Sequence, residues 1–92
     1  MSSANPIPPH IVIDARESDD FIKLLSACGA NVEKKTLDLG DFLCSDKTVV
    51  ERKTRGDFES SILDRRLFSQ LYNLSSAYPH VIVIVEGESS SE

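Results

Sequence analysis

Asp41, Glu51 and Lys53 are the residues of this chain whose types and spacing suit chemistry on a phosphate ester. Nine residues separate the aspartate from the glutamate, and they read as an apolar run, a polar turn at Ser45-Asp46-Lys47, and a second apolar run. This pattern predicts a hairpin of Asp41–Cys44 with Thr48–Lys53. Residues two apart in a strand share a face, so Glu51 and Lys53 point one way and Arg52 the other. With a three-residue turn at 45–47, Cys44 pairs with Thr48, and counting outward sets Asp41 opposite Glu51 with their Cβ atoms about 4.5–5.5 Å apart. A two-residue turn would set Asp41 opposite Arg52 instead. Like charges facing each other in a sheet ask for a compensating cation. Carboxylate oxygens suit Mg²⁺ or Mn²⁺, which keep several waters and take substrate phosphate as well. In outline this is a site for phosphodiester hydrolysis. The ion would polarise the phosphoryl oxygen and generate hydroxide, and Lys53 would add positive charge beside the attacking water or the phosphorane. On spacing alone, an edge hairpin with solvated Glu51 and Lys53 explains the same residues.

What surrounds the hairpin is one small domain, because 92 residues with 40% apolar and 27% charged side chains leave no room for a second core. The longest apolar run, Val81 to Val85, is five residues against the roughly 20 of a spanning helix, so no membrane-embedded segment is expected. Residues 1–10 lack the charged and apolar regions of a signal peptide. Cys28 and Cys44 make neither a disulfide framework nor, with His10 and His80 so far away, a zinc site, which predicts a reduced, intracellular protein. The net charge of −5 argues against a general polyanion binder. It is unevenly spread: residues 47–66 carry a local +2, the rest −7. Such an island could meet a phosphate backbone or be an ordinary solvated face of mixed charge.

The pattern along the chain predicts which elements hold the hairpin in place. Residues 1–9, with Pro6, Pro8 and Pro9, read as a flexible leader, 10–87 as the domain, and 88–92 as a polar tail. His10–Asp14 suits a strand. Ser18 or Asp19 caps a helix with Phe21, Leu24, Leu25 and Cys28 at i, i+3, i+4 and i+7, and Gly29 stops it. A strand over Val32–Leu39 is broken by Gly40. Beyond the hairpin, a helical pattern runs from Asp57 to about Tyr78, divided near Asp64–Arg66 and ended by Pro79. His80–Val85, the most apolar strand, is expected at the centre of the sheet, covered on both faces. The order β-α-β-β-β-α-β predicts an α/β domain with a mixed central sheet flanked by helices. The two helical segments allow parallel crossovers, while 41–53 must be antiparallel.

Gly40-Asp41, nine residues, Glu51-Arg52-Lys53, three residues and Asp57 resemble the GD-Xn-ERK-X3-D signature of the XPF/Hef structure-specific endonucleases, a branch of the restriction-endonuclease-like PD-(D/E)XK fold. Asp14-Ala15-Arg16-Glu17 resembles that family's D-x-R-E, Arg66-Leu67-Phe68-Ser69-Gln70 its R-L-x-x-Q helix, and Val83 to Gly87 its I-V-E-G strand end. The resemblance implies that Asp41 and Glu51 hold a Mg²⁺ or Mn²⁺ ion and that Lys53 is the catalytic lysine. Arg52, Asp57 and Asp14 become accessory active-site groups, and Arg16, Glu17 and Arg66 contact DNA around the scissile phosphate. Structural readings stand beside these: Asp57 as a helix N-cap, Arg52 in a buried ion pair on the far face, Arg65 and Arg66 as surface charges.

Two departures accompany the match. The family carries a glycine before R-L-x-x-Q where this chain has Arg65, which predicts a shifted helix break. The family domain also continues past I-V-E-G with elements that complete its fold and form its dimer interface, so this chain is expected to be incomplete on its C-terminal side. The function implied is a metal-dependent DNA endonuclease core that acts on flaps or forks in DNA repair or fork processing. Branched DNA would be read by backbone and shape, with a homo- or heterodimer partner in the full-length parent and a cytoplasmic (prokaryotic) or nuclear (eukaryotic) location. The alternative is a non-catalytic DNA-binding or scaffold subunit of the same fold, disfavoured by the intact Asp41, Glu51, Lys53 set.

Overall fold

The β-branched run at the start of the domain folds as the strand predicted for it, β1 (His10–Asp14), in a computed structural model that describes residues 7–87. The expected leader at 1–9 lies outside the described residues as far as position 6, and the expected tail at 88–92 lies wholly outside them. Ser18 caps α1 (Asp19–Ala27), its hydroxyl accepting from the Asp20 N–H at 3.1 Å, with Asp19 and Asp20 in the first turn where the helix dipole favours negative charge. Gly29, at φ 99°, ends the helix as expected. β2 (Asn31–Lys35) then runs parallel to β1.

The strand expected over 32–39 stops at Lys35, and the reason is local. Leu37 is held by other partners: its N–H donates to Asp14 Oδ1 at 2.9 Å and its carbonyl accepts from Arg16 at 2.7 Å. β3 (Phe42–Leu43) and β4 (Thr48–Thr54) form the hairpin, with Phe42 across from Val50 and Leu43 across from Val49. Ser45 Oγ accepts from the N–H groups of Lys47 and Thr48 at 3.0 and 3.1 Å, which fixes the three-residue turn.

The cap of the next helix is Thr54, not Asp57. Thr54 Oγ1 accepts from the Asp57 N–H at 3.2 Å, so α2 (Arg55–Leu63) begins two residues ahead of Asp57, which sits in the first turn. The expected division of the long helix is present: α3 (Arg66–Ala77) follows a break at Asp64 and Arg65. Arg65 has φ 67°, the left-handed conformation a glycine adopts without cost, so the break stays at the family's glycine position. β5 (His80–Glu86) pairs parallel to β4 along its whole length.

The sheet order is β2-β1-β3-β4-β5. β1 and β4 both run antiparallel to β3, so β3 is the one reversed strand of the five. The crossovers from β1 to β2 and from β4 to β5 run in opposite directions across the sheet, and such connections are by rule right-handed. Helices reached in opposite directions lie on opposite faces. On one face Phe21, Ile22 and Leu25 of α1 pack on Ile11, Ile13, Phe42 and Val50, with the Phe21 and Phe42 rings edge-on at 5.6 Å. On the other, Leu74 of α3 meets Val49 around Gly40.

Among the described residues β5 is an edge strand, which differs from its expected place at the centre. Ile82 and Ile84 are each 47% exposed, because α1 covers the sheet over β1 and β3 and does not reach them. The run is apolar on both faces, yet among the described residues only one edge of it is paired. No helix among the described residues is long and apolar enough to cross a membrane.

Candidate active site

The loop after β2 must pass close over β4 to deliver Asp41, and Gly40 makes this possible. Its φ is 81°, and a Cβ there would stand 2.2 Å from Val49 Cγ2. Asp41 is then held on three sides. Its carbonyl accepts from the Asp14 N–H at 2.8 Å, its N–H donates to the Val50 carbonyl at 2.9 Å, and its Oδ2 accepts from the Arg52 N–H at 2.7 Å. The Cys44 N–H donates to the Thr48 carbonyl at 3.0 Å, so the turn has three residues; the strand pairing ends at Phe42 and Val50, and Asp41, bonded to the Val50 carbonyl just beyond it, is close enough for its charge to act on Glu51. Strand alternation puts Glu51 and Lys53 on the Val49 face and turns Arg52 to the α1 face. The site thus lies at the carboxyl ends of the parallel strands, where the strand order reverses, as ligand sites in open α/β sheets do.

Burial pushes the Asp41 carboxyl up from its ordinary range, against the Arg52 N–H hydrogen bond, and the charges of Glu17 and Asp14 raise it further. Glu51 is pushed up by burial and then by the charge of Asp41, with Lys53 opposing. Lys53 is itself only 8% exposed. Asp14 goes the other way, down to about 2: the Arg16 side chain outweighs the cost of its burial, and the Leu37 and Arg16 N–H groups add to the shift. Four carboxylates therefore gather here in two kinds. Asp14 and Glu17 are neutralised by Arg16 and Arg52, at 2.8 Å in each case, whereas among the described residues no arginine side chain pairs with Asp41 or Glu51, and the charge of Asp41 bears on Glu51.

No three His, Cys, Asp or Glu side chains converge into a ligand cluster among the described residues. The donor set is two carboxylates, which fits a hard ion that keeps waters and takes its remaining oxygens from substrate. Beside them opens a cleft of about 180 Å³ lined by Asp38, Gly40, Glu51, Gln70 and Asn73. Gln70 Oε1 is buried without a hydrogen-bond partner among the described residues.

The other sequence-predicted residues fall elsewhere. Arg52 bonds Glu17 and Glu86 on the α1 face and lies 4.9 Å from the Phe21 ring centroid, so its side chain is a clamp between β4, β5, α1 and the turn after β1. Arg16 is exposed but committed to Asp14 and the Leu37 carbonyl. Arg66 pairs with Asp64 at the α2–α3 joint, and Asp57 is exposed on α2. The basic island is largely matched within itself and its surroundings, since Arg55 pairs with Glu59 as well. Gln70 entered the sequence analysis only as the end of the R-L-x-x-Q motif, with no role in the site; it sits on the stripe of Leu67 and Leu74, both buried, and lines the cleft with Glu51.

Comparison with known proteins matches this arrangement. The ERCC4 domain family model matches residues 13–92. A protein of Methanocaldococcus jannaschii described as an ATP-dependent RNA helicase is 51% identical over 84 residues, covering 91% of this chain and 10% of that protein. The 3′-flap repair endonuclease Xpf of Saccharolobus solfataricus is 37% identical over 79 residues, 85% of this chain and 34% of the relative. XPF from Aeropyrum pernix superposes with a TM-score of 0.80 at 43% identity, over 87% of this chain and 41% of that one. Its complex with DNA superposes at 0.77. The chain spans a minor part of each of these proteins. The sheet that XPF shares, the Asp41 hairpin within it and a family match running from β1 onward make this chain a member of the ERCC4 domain family.

Proposed function

We propose that this chain is part of the catalytic core of a divalent-metal-dependent, structure-specific DNA endonuclease that hydrolyses phosphodiester bonds at flaps or forks in DNA repair or fork processing. The neighbouring carboxylates Asp41 and Glu51, both with raised proton affinity, and the buried Lys53 whose charge acts on Glu51 carry this reading. The flap repair endonuclease among the relatives and the XPF–DNA complex support the substrate class.

Asp41 and Glu51 would hold Mg²⁺ or Mn²⁺. When bound, the ion supplies Lewis acidity toward a phosphoryl oxygen and a lowered pKa for a coordinated water. Lys53 brings a fixed positive charge to the same face, where negative charge grows as the phosphate becomes five-coordinate. Asp14 and Glu17 act as holders of Arg16 and Arg52. Arg16 and Arg66, exposed on the site side and at the helix joint, meet the DNA backbone, so recognition is by backbone and shape. In the longer parent, a homo- or heterodimer partner and a place beside chromosomal DNA, cytoplasmic or nuclear, belong to the same reading.

Titrating Mn²⁺ into the isotope-labelled protein tests it by NMR. Broadening centred on Asp41, Glu51 and Lys53 that disappears in Asp41→Ala is the expected result. A folded sample in which broadening is absent or scattered over acidic surface overturns the metal site and favours a scaffold subunit. In the parent, Glu51→Gln is expected to abolish cleavage while DNA binding persists.

A further inference from the structure

The two outer strands of the sheet are built differently. β2 carries Glu33, Lys34 and Lys35, with Lys34 paired to Asp19 and Lys35 to Glu33. Charged side chains, lysine above all, keep an edge from pairing with another chain. β5 has only apolar side chains between its end residues His80 and Glu86, and Ile82, Ile84 and Val85 are exposed. An open apolar groove of about 360 Å³, lined by Phe21, Leu24, Leu25 and Val50, reaches Ile84 from the α1 side and continues this apolar surface.

The outer edge of β5 is also its own complement. The His80 N–H donates to the Lys47 carbonyl at 2.9 Å, so in the parallel pairing with β4 the even-numbered residues turn their main-chain groups inward. By alternation the N–H and C=O groups of Val81, Val83 and Val85 point outward, and among the described residues β5 pairs with β4 alone. A second copy laid antiparallel about a two-fold axis at Val83 sets Val83 against its own equivalent and Val81 against Val85 of the second copy, each pair exchanging both main-chain hydrogen bonds. Ile82 then lies across from Ile84 of the second copy and His80 from Glu86, so no like charges meet.

We propose that β5 is a self-association edge: two copies of this chain pair β5 to β5, antiparallel about Val83, into one continuous sheet. The joined sheet ends on both sides in the charged β2, so pairing stops at two copies. The inference is independent of the ion site, and the surface differs from the family's dimer interface, which lies in elements past I-V-E-G. A strand pair covers less than the roughly 800 Å² per partner of a standard interface, so the dimer is weak and concentration-dependent.

Sedimentation velocity of the 92-residue chain from about 10 µM to about 1 mM tests it, with Val83→Pro as the variant. Proline there removes an outward N–H that β4 does not use, so the fold is retained. Wild type is expected to shift from monomer toward dimer with concentration, and Val83→Pro to stay monomeric with an unchanged far-UV circular dichroism spectrum. In a mixture of isotope-labelled and unlabelled wild type, an NOE from the Ile82 Hα to the Ile84 Hα of the second copy is expected, because the two form a close pair without hydrogen bonds. Wild type that stays monomeric up to about 1 mM, or that grows past the dimer, overturns the proposal. A dimer that a folded Val83→Pro leaves intact overturns it as well. If Val83→Pro does not fold, a wild-type dimer that lacks this NOE overturns the proposal.

Discussion

Arg52 holds Asp41 by its main chain, N–H to Oδ2 at 2.7 Å, while its side chain bonds Glu17 and Glu86 on the opposite face of the sheet. One residue thus positions the candidate ion ligand and clamps the scaffold. The two tasks separate under mutation, because substitution removes the side chain and leaves the N–H. Arg52→Ala strands the largely buried Glu17 carboxylate and is expected to destabilise the protein by about 3–5 kcal/mol. Mn²⁺ affinity of the folded fraction should stay within about twofold, as measured by denaturant titration alongside NMR at low temperature.

Glu51→Gln is expected to act in the opposite direction. It removes the like charge on which Asp41 acts and should stabilise the metal-free protein by about 0.5–1 kcal/mol, with loss of Mn²⁺ broadening. Urea midpoints at neutral pH check the sign.

The pH dependence of stability follows from carboxylates shifted in opposite directions. Asp14 is lowered from 3.8 to about 2, so its contribution is present above 3.8 and is lost as pH falls toward about 2. Asp41 and Glu51 are raised, so theirs is present below the ordinary carboxylate values and is lost as pH rises through the elevated ones. Asp14→Asn should flatten the acid limb, and Glu51→Gln the loss on the way to neutrality. Unfolding midpoints measured from pH 2 to 7 without metal separate the two.

Gly40→Ala combines a left-handed φ with a Cβ that would meet the fully buried Val49 side chain at 2.2 Å. Left-handed strain and overpacking together are expected to cost about 2–4 kcal/mol. Gly40→Ala in a Val49→Ala background removes the overpacking and keeps the strain, so in thermal unfolding the glycine substitution should cost less there than in wild type.

Arg65→Gly should stabilise by about 0.5–1.5 kcal/mol, since Arg65 occupies φ 67° between α2 and α3. Arg65→Val, β-branched and worse suited to that conformation, should destabilise. Chemical denaturation of the pair gives both signs.

Much of the hairpin was legible in the sequence because strand alternation is a local rule. Once Ser45 set a three-residue turn, the faces of Glu51, Arg52 and Lys53 followed by counting, while the pairing ends at Phe42 and Asp41 takes its own bond to the Val50 carbonyl. The divided helix and the Ser18 cap were local too. What periodicity missed depended on partners far along the chain. Leu37 leaves the expected strand because Asp14 and Arg16 take its backbone groups. The apolar composition of β5 says that it is buried somewhere in a sheet but not which neighbours it has, and it proved to be an edge. Gln70 entered as the end of a helix motif, and that it lines a cleft with Glu51 depends on the fold. The motif resemblance supplied the roles; the fold showed which of those residues share a face.

The narrowness of β3 has a mechanical side. Among the described residues, the two parallel leaves of the sheet, β1 with β2 and β4 with β5, are joined through its two residues, Phe42 and Leu43. Asp41, next in the chain, is bonded to both leaves at once, to Asp14 on one and to Val50 and Arg52 on the other. Any tilt of one leaf against the other must pass through this rivet. Asp41 is therefore tied to the angle between the leaves, and a load on either outer strand reaches it through the backbone.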